Sequence, residues 1–193
     1  CFIITGPGVT NAATGIGQAY ADSIPMLVIS SVNHTASLGK GWGCLHETQD
    51  QRAMTAPITA FSAVALSTDD LPQLIARAYA VFDSERPRPV HISVPLDVLS
   101  APVSRDWSQD VVVRPGRGAA CASALDQAVS KLNDAKRPMI IAGGGALEAG
   151  AQLQQLSTRL AAPLFTSVAG KGLLPPQAAL NAGSSLCVEP GWQ

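Results

Sequence analysis

The chain alternates short apolar runs with stretches of helical periodicity. Residues 1–5 (CFIIT) are apolar and β-branched and are ended by Gly-Pro-Gly, which predicts a buried strand. Thr10 or Asn11 can cap a helix that follows to about Asp22; its Ala12, Ala13, Gly15, Gly17 and Ala19 let a neighbour approach closely. Residues 26–31 (MLVISS) predict a second buried strand. A Gly- and Ser-rich loop over 32–44, a short helix over 49–55 and a third strand within 58–66 come next. Thr68 reads as an N-cap, with Asp69 and Asp70 in the first turn where the helix dipole favours them. Leu71, Leu74, Ile75, Ala78, Tyr79 and Phe82 then recur at helical spacing to about Ser84. Residues 90–94 (VHISV) predict a fourth strand.

The composition changes from Ser104 to Gly118, where Arg105, Trp107, Arg114, Pro115, Gly116 and Arg117 make an extended polar segment. We read 105–117 as an interdomain linker between units over 1–104 and 118–193. Beyond it the pattern predicts a helix over 122–135 with Leu125, Ala128, Val129 and Leu132 on one face. A buried strand over 138–142 (PMIIA), the glycine turn Gly143, Gly144 and Gly145, a helix over 147–160 and a strand over 163–167 (PLFTS) follow. Strand and helix alternate with short connections in both halves, so the expected class is α/β with parallel sheets and flanking helices.

Charge narrows the function classes. Lys and Arg number 13 and Asp and Glu 14, a net charge of −1, so there is no basic field to attract nucleic acid or an anionic membrane. No apolar run approaches the ~20 residues a spanning helix needs. Cys1, Cys44, Cys121 and Cys187 form no CxxC pair, so they read as small buried hydrophobes of a reducing, cytoplasmic compartment. A chain that opens on Cys1-Phe2-Ile3 and closes on Pro190-Gly191-Trp192-Gln193 reads as a piece of a longer protein.

Three loops could carry chemistry. Gly6, Pro7, Gly8 and Asn11 lie between a strand and a helix, where open α/β sheets bind ligands. Asn11 stands where a dinucleotide fingerprint needs glycine, yet it offers a heterocycle both donor and acceptor. By spacing alone a structural turn competes with that reading. Gly143, Gly144 and Gly145 also fail the fingerprint, at Glu148, but would admit a nucleotide or phosphate close to the backbone. Leu45, His46, Glu47 and Asp50 gather in a third loop. His46 could move a proton near neutral pH, and Glu47 and Asp50 could hold a cation. A solvated loop with acidic caps would use the same residues. His91 alternates with Ile92 and reads as a satisfied core or edge histidine. No paired metal-ligand spacing occurs, so no metal site is expected in this chain.

Taken together, residues 5–26 (TGPGVTNAATGIGQAYADSIPM) strongly resemble thiamine-diphosphate-dependent enzymes of the acetolactate synthase and 2-oxo acid decarboxylase family. Residues 86–98 (RPRPVHISVPLDV) look like the end of that family's N-terminal pyrimidine-binding domain. Residues 138–175, with the triple glycine and Gly170-Lys171-Gly172, look like the start of its Rossmann-like central domain. The resemblance implies the later two-thirds of the first domain over 1–104 and the first part of the central domain from 118. It implies a homodimer or homotetramer acting on a small 2-oxo acid. It implies thiamine diphosphate with Mg2+, the activating glutamate lying before Cys1 and the Mg2+ ligands after Gln193. The isolated chain is therefore expected to be inactive. Gly6, Pro7, Gly8 and Asn11 would face the cofactor, and Leu45, His46 and Glu47 the reacting carbon.

The sequence departs from acetolactate synthases at two places. They usually carry Phe-Gln-Glu where this chain has Leu45-His46-Glu47, and Gly-Gln where it has Ser30-Ser31. A histidine donates protons as glutamine does not, which favours a decarboxylase releasing an aldehyde and CO2. Leu45, Glu47 and Asp50 are the expected substrate contacts. The two carboxylates suit a cationic tail such as that of 5-guanidino-2-oxopentanoate, an arginine-derived acid. An acetolactate-forming carboligase using pyruvate, with FAD in the central domain, and a non-catalytic nucleotide-binding or assembly module are the alternatives.

Overall fold

The computed structural model describes residues 1–103, 105–110 and 115–184. Ser104, Arg114, Cys187 and the 189–193 segment singled out above lie outside the described residues. The chain divides into two units, Cys1–Gly118 and Ala119–Gln193.

The first unit is a parallel sheet in the order β1-β2-β4-β3: β1 Phe2–Ile3, β2 Leu27–Val32, β3 Phe61–Val64 and β4 Val90–Pro95. Around it lie α1 Pro7–Asp22, α2 Gln51–Thr55, α3 Asp70–Ser84 and α4 Leu96–Leu99. The parallel α/β class expected from the alternating pattern is what the chain adopts.

The central strand β4 is buried along its whole length, and its alternation sorts the two faces. Val90, Ile92 and Val94 point into a core shared with Ala65, Ala78, Val98 and the apolar face of α3 (Leu71, Leu74, Ile75, Phe82). Each fully buried Val or Ile there contributes about 1.5–3 kcal/mol. His91 and Ser93 point the other way. Register sets Ser30 of β2 opposite Ser93 and Ser62 of β3 opposite His91, so one face of the sheet carries a buried polar stripe.

Several boundaries differ from the sequence reading. β1 is not buried: it is a sheet edge, and Phe2 is 84% exposed. Helix α1 starts at Pro7 rather than after Thr10, because proline at N1 needs no N–H partner and its fixed φ suits the first turn. Thr68 is not the cap of α3. Asp69 occupies that position, while the Asp70 carboxylate accepts the Leu66 and Ser67 N–H groups and closes the turn. Cys1 and Cys121 are exposed and Cys44 half-buried, so the expectation of buried thiols fails at these positions. The polar segment after residue 104 is not wholly extended. A 3-10 turn spans Trp107–Gln109, and Arg105 pairs with Asp110 and lies 3.7 Å from Asp69.

The second unit holds α5 Ala122–Asp134, β5 Ile140–Ala142, α6 Gly150–Leu160 and β6 Leu164–Thr166, with β5 and β6 parallel. Its core is Ala142, Leu164, Leu173 and Leu174, with Ile140, Ala146 and Leu153 against it. The helix expected over 147–160 opens instead as a 3-10 stretch, Gly144–Ala149, and becomes α-helical at Gly150. A side chain at Gly150 would meet the Leu173 carbonyl oxygen at 2.6 Å, so the helix is pressed against that backbone.

Candidate functional site

The Gly6-Pro7 turn sits beyond the carboxyl end of β1 and opens α1. Gly6 has φ +60°, a left-handed conformation that glycine adopts without a Cβ penalty. Its carbonyl accepts the Val9 and Thr10 N–H groups at 2.9 and 3.1 Å, forming the first helical turn. Pro7 and Asn11 are four residues apart on α1 and therefore share a face, and both are exposed. Thr10, the alternative cap in the sequence reading, donates its hydroxyl to the Pro7 carbonyl. Gly8 is half-buried, and a Cβ there would meet Ile4 Cγ2 at 2.6 Å.

The second loop lies against this turn. A Cβ on Gly6 would stand 2.2 Å from the His46 carbonyl oxygen, so the two backbones are in direct contact. His46 occupies the third position of a turn closed by Glu47 N–H donating to the Cys44 carbonyl at 3.0 Å. Its φ of +58° is the left-handed value that a type II turn requires there. In a non-glycine residue that conformation costs of order 1–3 kcal/mol. His46 Nδ1 is buried and has no hydrogen-bond partner among the described residues.

Two side chains hold the His46 loop in shape. Asn33, just after β2, donates to the Leu45 carbonyl at 2.9 Å. Glu47 accepts four backbone N–H groups: Gly41 and Trp42 on one oxygen, Gly43 and Cys44 on the other, at 2.7–3.3 Å. Desolvation pulls its pKa upward, but the four N–H bonds outweigh it and hold the carboxyl below its usual range. Both Glu47 oxygens are thus engaged by the loop itself. Asp50 caps α2 through Oδ1, which accepts from Ala53 N–H at 2.9 Å; its other oxygen has no hydrogen-bond partner among the described residues. Leu45 projects outward, 79% exposed. A cleft beside His46 is lined by Lys40, Gly43, Cys44, Glu47 and Gln49, and another by Val32, Leu38, Asp50, Arg52, Val64 and Ser93.

Beneath both loops runs a buried polar network that the sequence reading missed apart from His91. Gln51 is its centre: Oε1 accepts Gly6 N–H at 2.8 Å and the Thr5 hydroxyl at 3.2 Å. Its amide donates to Ser30 Oγ, the Ser31 carbonyl and Ser93 Oγ at 2.8, 2.9 and 3.1 Å. Ser31 Oγ accepts Thr5 N–H at 3.0 Å. His91 Nε2 lies 2.8 Å from Ser30 Oγ, and Nδ1 lies 2.7 Å from Thr55 Oγ1 and 3.0 Å from Ser62 Oγ. Burial pushes the His91 pKa down to about 4, so the ring is neutral at pH 7. His91 is a satisfied core histidine. The signal that could have found the network is the alternation of polar residues at Ser30, His91 and Ser93, buried positions on one face of adjacent strands.

In the second unit, Gly144 lies against Ala169, where a Cβ would sit 3.1 Å from that residue's Cβ, while Gly145 stands open. Close packing therefore accounts for the middle glycine. Among the described residues, no group of three or more His, Cys, Asp or Glu could hold a metal ion, and no helix is long and apolar enough to cross a membrane.

Residues 1–54 match the family described as thiamine pyrophosphate enzyme, N-terminal TPP binding domain. Residues 125–188 match thiamine pyrophosphate enzyme, central domain. The whole chain is 78% identical over 193 residues to a probable 2-ketoarginine decarboxylase of Pseudomonas aeruginosa, covering 34% of that protein. It is 32% identical over 185 residues to the acetolactate synthase large subunit of Lactococcus lactis, covering 94% of this chain and 32% of the relative. It is 33% identical over 180 residues to the acetolactate synthase isozyme 3 large subunit of Escherichia coli, covering 90% and 31%. The chain spans about a third of the length of these relatives.

Proposed function

Since the chain belongs to the thiamine pyrophosphate enzymes and carries parts of their N-terminal and central domains, we propose that it is a segment of a 2-oxo acid decarboxylase. The substrate is 5-guanidino-2-oxopentanoate, which takes up a proton as it loses CO2 and leaves as the aldehyde. Identity of 78% to a probable 2-ketoarginine decarboxylase, against 32–33% to acetolactate synthases, supports this substrate over pyruvate.

The observation that carries the reading is the contact between the Gly6 turn and the His46 backbone. It brings the His46 loop against the turn that opens α1, the helix whose exposed face carries Pro7 and Asn11. The residues present fit thiamine diphosphate: Pro7 and Asn11 are exposed on the helix that the turn opens, and the His46 ring nitrogen Nδ1 is buried without a partner among the described residues. When bound, the cofactor supplies the electron sink for decarboxylation. Pro7 and Asn11 would hold its heterocycle, the proline by apolar contact and the amide by hydrogen bonding. His46 delivers the proton that ends the reaction as an aldehyde. The Mg2+ and diphosphate contacts fall to residues outside this chain. The working enzyme is a homo-oligomer of the cytoplasm.

Between the two acidic candidates, the free oxygen of Asp50 favours it as the guanidinium acceptor, with Glu47 shaping the loop. The test uses the full-length parent with thiamine diphosphate and Mg2+, following CO2 release from the guanidino acid, pyruvate, 2-oxoisovalerate and phenylpyruvate. Preferred turnover of the guanidino acid to an aldehyde, lost in His46→Gln, supports the reading. Pyruvate as best substrate with acetolactate accumulating, in a flavin-bearing protein, overturns it in favour of the carboligase.

A further inference from the structure

We propose that Gln51 is a positioning residue: it locks the Gly6-Pro7 turn onto the ends of β2 and β4, and so sets where that turn stands relative to His46. The inference rests on the reading of that turn as the cofactor-facing element. Its basis is the chemistry of one buried carboxamide, 3% exposed. Gly6 N–H can only donate and the Ser31 carbonyl can only accept, so the amide has one orientation that serves both. The acceptor end holds the turn, through Gly6 N–H and the Thr5 hydroxyl. The donor end holds the strands, through Ser31 O, Ser30 Oγ and Ser93 Oγ.

At neutral pH neither an ionised carboxylate nor an aliphatic chain of this length offers both ends. A carboxylate would turn an oxygen toward the Ser31 carbonyl, and an aliphatic chain would orphan Gly6 N–H in a dry site. Gln51 opens α2, whose last residue, Thr55, is itself tied to His91 Nδ1. The helix is therefore stapled to the sheet at both ends, which makes Gln51 a rigid anchor. Because the turn touches the His46 backbone, a shift of the turn is also a shift relative to the proton donor.

The test compares Gln51→Leu and Gln51→Glu with the wild type in the full-length parent. Thiamine diphosphate affinity is read by fluorescence titration, and exchange of backbone amides by mass spectrometry of the peptide containing Thr5 and Gly6. Gln51→Leu is expected to bind the cofactor about tenfold more weakly and to exchange that peptide faster. A fall in kcat of roughly a hundredfold, with little change in the substrate's KM, accompanies it. In Gln51→Glu the neutral carboxyl mimics the amide, its carbonyl accepting and its O–H donating. Affinity should then approach wild type at low pH and fall as pH rises, a profile the wild type lacks. If Gln51→Leu does not fold, this pH profile carries the test.

Wild-type affinity, protection and pH profile in both variants would overturn the proposal. If the wild-type protein binds no thiamine diphosphate, the functional reading fails. The exchange measurement still judges the clamp in that case, through loss of Gly6 protection in the variants.

Discussion

Gly6 and His46, 40 residues apart in sequence, meet backbone to backbone: the Gly6 Cα faces the His46 carbonyl so closely that a Cβ would lie 2.2 Å from that oxygen. Gly6→Ala must therefore move the His46 loop as well as force an alanine to φ +60°. The conformation alone costs roughly 1–3 kcal/mol. We expect a lower melting temperature and at least a tenfold loss of cofactor affinity. Gly8→Ala is expected to be milder, because it forces no positive φ and its close neighbour is a methyl of the exposed Ile4 side chain, Cγ2, rather than backbone. Melting curves and cofactor titrations of the two variants, side by side, check the contrast.

The network under the loops predicts a pH dependence of stability. Folding holds His91 neutral down to about 4, while the unfolded ring titrates near 6.5. Below 6.5 the unfolded chain takes up a proton that the folded chain refuses. The stabilisation is therefore complete above 6.5 and is lost progressively as pH falls toward 4. The full effect is on the order of 3 kcal/mol. Denaturant midpoints at pH 7 and pH 4.5 should differ more in the wild type than in His91→Gln. Parallel curves would show that the ring does not titrate as its burial dictates.

Glu47 and Asp50 separate by substrate. Glu47→Gln leaves one oxygen for the four loop N–H groups and turns an NH2 toward the rest. Turnover of every 2-oxo acid should fall, by roughly tenfold, with little selectivity. Asp50→Asn keeps an acceptor for Ala53 N–H but removes the charge. Here KM should rise about tenfold for the guanidino acid and stay unchanged for neutral acids. Steady-state kinetics on 5-guanidino-2-oxopentanoate and 2-oxoisovalerate read both. A selective KM effect in Glu47→Gln would reverse the assignment.

The 193-residue chain on its own is expected to self-associate and to release no CO2. Strand β1 is an edge, and Phe2 and Ile4 are 84% and 57% exposed. Such an apolar edge recruits another chain. Analytical ultracentrifugation at rising concentration tests this; a sharp monomer with cooperative melting would count against it.

Much of this molecule is legible from its letters. Apolar runs bounded by Gly and Pro mark β2, β4, β5 and β6 to within about two residues, as local patterns usually do. The Gly-Pro-Gly turn and the polar loop around His46 stand out because loops that must bend or bear charge use few residue types. Local pattern misplaces the start of α1, since Thr10 and Asn11 look like caps until Pro7 is seen to occupy the first helical position. It also misjudges β1: apolarity predicts burial, but exposure depends on which strands lie alongside.

What the sequence determined by itself is class and family: alternating strand and helix, and a 5–26 run specific enough to imply the cofactor. What only the tertiary structure decided is which polar residues meet. Glu47 reads as a free carboxylate in a loop, yet four N–H groups bonding the same side chain consume it. Gln51 reads as one more polar residue on a short helix, yet it joins Thr5 and Gly6 to Ser30, Ser31 and Ser93. The physical reason is sequence distance. Gly6 and Gln51 are 45 residues apart, and their hydrogen bond exists only because parallel pairing brings the ends of β1, β2 and β4 together and sets α2 upon them. Periodicity reports which face a residue takes; only strand order and register report what stands opposite it.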